Sequence, residues 1–70
     1  MEYRHLIVEH RDTVATLTLN RPESLNALNE RLRYELCVAI ETIAADDDIR
    51  VVVISGTGRA FCSGDDIKLD

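Results

Sequence analysis

Four consecutive apolar residues, Val51-Val52-Val53-Ile54, constrain this chain more than any other feature. An apolar residue at every position describes a strand buried on both faces of a parallel sheet, because a half-solvated strand would alternate. Parallel pairing requires a long crossover back to the same end of the sheet, usually a helix. The run therefore predicts an α/β arrangement with a layer on each side of the strand.

The preceding residues supply the other parts. Residues 6–9 and 13–19 are rich in Val, Ile, Leu and Thr, and Leu17 and Leu19 alternate with Thr16 and Thr18. Both segments read as strands. The short polar link His10-Arg11-Asp12 suits an antiparallel hairpin. Pro22 ends the second strand, since it cannot donate to a ladder and restricts the residue before it. After Ser24 the apolar period changes to about 3.6, through Leu25, Leu28, Leu32, Leu36, Ala39 or Ile40, and Ile43, which predicts an amphipathic helix. Asn29 is the preferred N-cap, with Glu30 at the positive end of the helix dipole, and Ser24 or Asn26 are earlier alternatives. Glu30, Arg33, Glu41 and Thr42 fall on the polar side. Asp46-Asp47-Asp48 would be unfavourable inside a helix C-terminus and marks the exit near Ala45.

A fold of 70 residues is marginal by size, and neither disulfides nor a metal evidently reinforce it. Cys37 and Cys62 form no CxxC and lack a partnered His cluster, so they read as reduced thiols buried as small hydrophobes, with no metal site. Thirteen acidic residues against eight basic ones give a net charge of -5, which argues against nucleic acid as a partner. No basic segment followed by an apolar stretch opens the chain, and no apolar run approaches the roughly 18 residues of a membrane span. The expectation is a cytoplasmic protein without a membrane partner.

Open α/β folds place ligands outside the carboxyl ends of their parallel strands, which directs attention to residues 56–68. Gly56-x-Gly58 would need a third glycine at position 61, where Phe61 stands, so a dinucleotide fingerprint fails. No Walker A spacing exists, and Ser63 lacks the first glycine of a nucleophile elbow. Nothing in the spacing pairs Cys62 with His5 or His10 as a catalytic thiolate. What remains is a small-residue turn at Ser63-Gly64. Main-chain N–H groups at such a turn point outward and can receive a developing negative oxygen, with Gly64 permitting the conformation and Asp65 supplying the donor. On local spacing alone the favoured reading is a Gly64 that ends a connection and an Asp65 or Asp66 that caps a following helix.

Three separated motifs occur in order: residues 21–29, Arg-Pro-Glu-Ser-Leu-Asn-Ala-Leu-Asn; residues 46–56, Asp-Asp-Asp-Ile-Arg-Val-Val-Val-Ile-Ser-Gly; and residues 58–67, Gly-Arg-Ala-Phe-Cys-Ser-Gly-Asp-Asp-Ile. Together they strongly resemble the N-terminal part of the enoyl-CoA hydratase/isomerase (crotonase) family, over essentially the whole chain. The resemblance implies a superhelix of ββα units, of which residues 1–70 supply the first unit and the start of the next, as an N-terminal fragment of a single domain. It implies an acyl-CoA thioester as substrate, with coenzyme A entering only as part of it and no separate cofactor. It also implies homo-oligomers, trimers or hexamers, of the full-length proteins.

By the same resemblance, the backbone N–H of Asp65, after Gly64, is one of two oxyanion donors to the thioester carbonyl. Asp65, Asp66, Ile67 and Lys68 would line the acyl-CoA, and Ala27 lies in a second CoA-lining turn, residues 25–28. Arg59 and Lys68 read as solvated surface charges in preference to contacts with CoA phosphates. Asp65 departs from the small or apolar residue frequent in the family, and its side chain is expected to face outward or bind a backbone amide. The second oxyanion donor and the acid/base residues belong to later family segments, so the 70 residues alone are expected to be inactive. The parent reaction would be hydration of a trans-2-enoyl-CoA, with isomerase, thioester hydrolase and dehalogenase chemistry on the same framework. The alternative is a small non-catalytic interaction module or remnant that associates through the exposed sheet face of residues 51–55.

Overall fold

The computed structural model describes residues 2–58 and 61–62. Strands β1 (Leu6–Arg11), β2 (Val14–Leu19) and β3 (Val51–Gly56) form one sheet in the order β1-β2-β3, and helix α1 (Glu30–Ala44) makes the crossover. β1 and β2 are antiparallel, from Leu6 opposite Leu19 to Arg11 opposite Val14. β2 and β3 are parallel, from Val14 opposite Val51 to Leu19 opposite Gly56. The hairpin, helix and parallel strand expected from the sequence are thus all present.

The hairpin link is shorter than its polarity suggested. His10 and Arg11 belong to the β1 ladder, leaving Asp12 and Thr13 to turn the chain. Asp12 takes a left-handed φ of 54°, which Asp tolerates better than most side chains, and its carbonyl accepts from His10 Nε2 at 2.7 Å. Along β2, Ala15, Leu17 and Leu19 are buried and the intervening residues half-buried, as the alternation predicted.

Asn29 caps α1: its Oδ1 accepts the Leu32 N–H at 2.8 Å. Neither earlier start is used; Pro22–Ser24 forms a separate single turn of 3-10 helix, and Leu25 follows in a left-handed conformation. Leu32 and Ala39 pack into a core with Leu6, Leu17 and Leu19, flanked by Tyr3, Leu28, Leu36, Ile43 and Cys62. Ala39 rather than Ile40 faces this core, and Ile40 is exposed. Beyond the Ala45 C-cap, Asp46 accepts the Asp48 N–H on its side chain at 2.9 Å, a local turn that competes with helix and explains the exit.

The apolar run of β3 calls for cover on two sides, more than one helix can give, and Val51, Val52, Val53 and Ile54 are 44 to 49% exposed among the described residues. Val52 and Ile54 lie opposite the buried Ala15 and Leu17, and so share the helix side of the sheet, yet α1 lies against β1 and β2. Val51 and Val53 share the other face, which nothing covers among the described residues. Cys37 is likewise exposed on α1, whereas Cys62 is half-buried against the core, so only the second thiol resembles the small buried hydrophobe expected.

Candidate functional site

The carboxyl ends of β2 and β3 lie side by side, and the chain leaving each is fastened to the other. The Thr57 N–H donates to the Leu19 carbonyl at 2.9 Å, extending the parallel ladder by one bond. The Thr57 hydroxyl donates to Asn20 Oδ1 at 3.1 Å, and the Asn20 N–H donates to the His5 carbonyl at 2.8 Å.

Residues 21–27 fold into a compact turn on this platform. Pro22 suits the start of its 3-10 segment because its missing N–H removes no bond there. The Arg21 carbonyl accepts from the Ser24 N–H at 2.9 Å and the Asn26 N–H at 2.8 Å, while the Ala27 N–H donates to the Ser24 carbonyl at 3.1 Å. The Arg21 guanidinium closes the turn through the Ala27 carbonyl at 2.6 Å and Ser24 Oγ at 3.2 Å. Leu25 and Asn26 are both left-handed, with φ of 52° and 58°. Ala27, expected to line CoA, therefore occupies a hydrogen-bonded turn at the carboxyl end of β2, with its amide already engaged.

Asn26 joins this turn to β3. Its side chain is fully buried, with Oδ1 accepting the Arg21 N–H at 2.7 Å and Nδ2 donating to the Thr57 carbonyl at 2.8 Å. Next to Thr57, Gly58 has a φ of +77°, and a Cβ there would lie 3.1 Å from the Pro22 Cβ. Glycine is favoured twice over, by the left-handed backbone and by the close approach of Pro22. Farther on, Cys62 returns the chain to the core, while Phe61 is exposed. Gly64, Asp65, Asp66, Ile67 and Lys68, expected to hold the acyl-CoA, lie outside the described residues, as does Arg59. The structure brings Ala27 beside the end of β3, from which the segment carrying the other expected site residues departs.

Glu35 was not anticipated as part of this end of the molecule. It is fully buried on α1 and accepts both N–H groups leading into β1, from Arg4 at 3.0 and 2.9 Å and from His5 at 2.8 Å, together with Arg31 Nε. Burial pushes its carboxyl pKa up, but these hydrogen bonds and the guanidinium charge outweigh burial and hold it below its ordinary value. With its oxygens committed to these donors, Glu35 is a structural clasp rather than a proton carrier. Its position three residues after Leu32 and four before Ala39 is the signal that could have found it: a carboxylate on the apolar stripe needs dedicated partners.

A surface depression of about 450 Å³ is lined by Glu9, Arg11, Asp12, Thr13, Val14 and Thr16. It lies at the hairpin, the opposite end of β2 from Thr57. No helix among the described residues is long and apolar enough to cross a membrane.

Residues 9–69 match the enoyl-CoA hydratase/isomerase family. A probable enoyl-CoA hydratase of Rhizobium meliloti strain 1021 is 44% identical over 68 residues, covering 97% of this chain and 26% of the relative. The 1,2-epoxyphenylacetyl-CoA isomerase of Escherichia coli K12 is 44% identical over 55 residues, 79% of this chain and 21% of that protein. Among solved structures, an enoyl-CoA hydratase/isomerase from Mycobacterium paratuberculosis superposes with a TM-score of 0.91 at 42% identity, over 96% of this chain and 26% of that one. The enoyl-CoA hydratase from Mycobacterium tuberculosis H37Rv gives a TM-score of 0.87 at 44% identity, over 91% of this chain and 29% of that one. The chain spans about a quarter of the length of these relatives. The family match covers most of the chain, and relatives above 40% identity cover nearly all of it with the same fold: the chain belongs to the enoyl-CoA hydratase/isomerase family.

Proposed function

We propose that residues 1–70 are the N-terminal part of a single crotonase-like domain that binds an acyl-CoA thioester, with hydration of a trans-2-enoyl-CoA as the parent reaction. The observation that carries this reading is the hydrogen-bonded junction of the 21–27 turn with Thr57, which sets Ala27 beside the departure of the chain toward Asp65. Adding water across the double bond builds enolate charge on the thioester oxygen. In this reading the backbone N–H of Asp65 receives that charge, Gly64 allows the close approach, and Asp66, Ile67 and Lys68 continue along the ligand. Loss of one such donor in a complete active site typically lowers the rate by about 10² to 10³. Coenzyme A enters as part of the substrate and no further cofactor is called for. Cytoplasmic location and homo-oligomeric assembly of the full-length protein belong to the same proposal.

Titration of the isotope-labelled 70-residue chain with crotonyl-CoA tests the reading. Amide resonances of Ala27, Thr57 and residues 64–68 are expected to shift, with no hydration, because the family's acid/base segments are absent from these residues. Asp65→Ala should retain the response, whereas Asp65→Pro, which deletes the donor, should weaken it. Unmoved resonances at millimolar thioester would overturn the assignment.

A further inference from the structure

Asn26 combines three properties that local folding alone does not require together: full burial, a left-handed backbone, and a side-chain amide used at both ends. The turn around it is already closed by main-chain bonds from Ser24, Leu25, Asn26 and Ala27 and by the Arg21 guanidinium. The bond from Nδ2 to the Thr57 carbonyl reaches outside that turn, across 31 residues of sequence. It holds the peptide unit immediately before Gly58, where the chain leaves the sheet in a left-handed conformation against Pro22. The two ends of the amide are not interchangeable, since one must accept from an N–H and the other must donate to a carbonyl.

We infer that Asn26 is a positioning residue for acyl-CoA. Its amide sets the spacing between the Ala27 turn and the chain leaving β3 at Thr57-Gly58, so that one ligand engages both. The inference rests on the acyl-CoA reading above and assigns the specific side chain that couples its two halves.

Asn26→Asp is the discriminating variant. A carboxylate still accepts from Arg21 but turns a second acceptor toward the Thr57 carbonyl, so it opens the junction while keeping the turn. Asn26→Gly supplies a control that favours the left-handed backbone and removes both side-chain bonds. Both variants are expected to bind crotonyl-CoA about tenfold more weakly than the unsubstituted chain. Ligand-induced shifts should persist at Ala27 and collapse at Thr57 and Gly58, while amide protection of Leu32 and Ala39 in α1 is retained. A merely structural role would lower the melting temperature and leave the affinity and shift pattern of the folded fraction unchanged, which would overturn the inference. Unchanged binding by either folded variant would overturn it as well. If the unsubstituted chain itself fails to bind, the acyl-CoA reading falls and this inference falls with it, a result distinct from binding that survives substitution.

Discussion

Glu35 Oε1 accepts the main-chain N–H of His5 at 2.8 Å, joining the middle of α1 to the residue that leads into β1. His5 passes the constraint on, because its carbonyl receives the Asn20 N–H and the Asn20 side chain receives the Thr57 hydroxyl. A buried helix carboxylate is thereby connected to the carboxyl ends of β2 and β3. Glu35→Gln places an amide donor where the carboxylate now meets N–H groups, and should destabilise the chain by about 2 to 3 kcal/mol in urea unfolding. That loss is comparable to the whole net stability a domain of this size commands.

The same carboxylate has a pH signature. Its folded pKa lies below its ordinary value of 4.5, so its contribution is fully present above that value and is lost as the pH falls through the lower folded one. Urea midpoints should be insensitive to this group near neutrality and fall in acid. In Glu35→Gln the acid slope should be shallower. An equally steep slope in the variant would assign acid sensitivity to other carboxylates.

Gly58→Ala should destabilise the junction at the end of β3. The new methyl must sit 3.1 Å from the Pro22 Cβ and on a backbone with φ of +77°. Left-handed backbone costs a non-glycine residue about 1 kcal/mol before any contact is counted. Differential scanning calorimetry should therefore show a lowered melting temperature, and crotonyl-CoA binding should weaken with it.

Val53→Lys tests the uncovered sheet face. Val53 is 44% exposed opposite the half-buried Thr16, on the side away from α1. The unsubstituted chain should associate in a concentration-dependent manner by sedimentation velocity, and a lysine at this position should shift it toward monomer with little change in helix content. Monodisperse behaviour of the unsubstituted chain at high concentration would remove the sheet face as an association surface.

Much of this architecture was legible because single residues changed the local rules. Pro22 and the shift from period 2 to 3.6 separated hairpin from helix, and Asn29 capped where its side chain allowed. The parallel pairing of β3 followed from its unbroken apolar run. That run also called for cover on both faces, more than a single helix supplies, and α1 lies over β1 and β2. Cys37 was misjudged because its small apolar character carries no information about which side of α1 it takes. Asn26 was read as a possible helix start and as part of the CoA-lining turn 25–28, but its bond to Thr57 was not legible because it depends on a strand 31 residues away. Glu35 escaped because its partners precede β1 and approach it only once the sheet and helix have packed.

The parallel seam between β2 and β3 is also a long-range closure. Its residues, such as Thr18 and Ser55, are 37 positions apart, whereas Arg11 and Val14 meet across a two-residue turn. Closing the long connection costs more chain entropy than closing the hairpin, so the seam is the costlier contact to form. Among the described residues β3 is paired on one edge and its apolar side chains are 44 to 49% exposed, so the seam is the least covered part of the sheet. The Asn26–Thr57 bond, which reaches across 31 residues, carries the same closure cost and opens or closes with that seam.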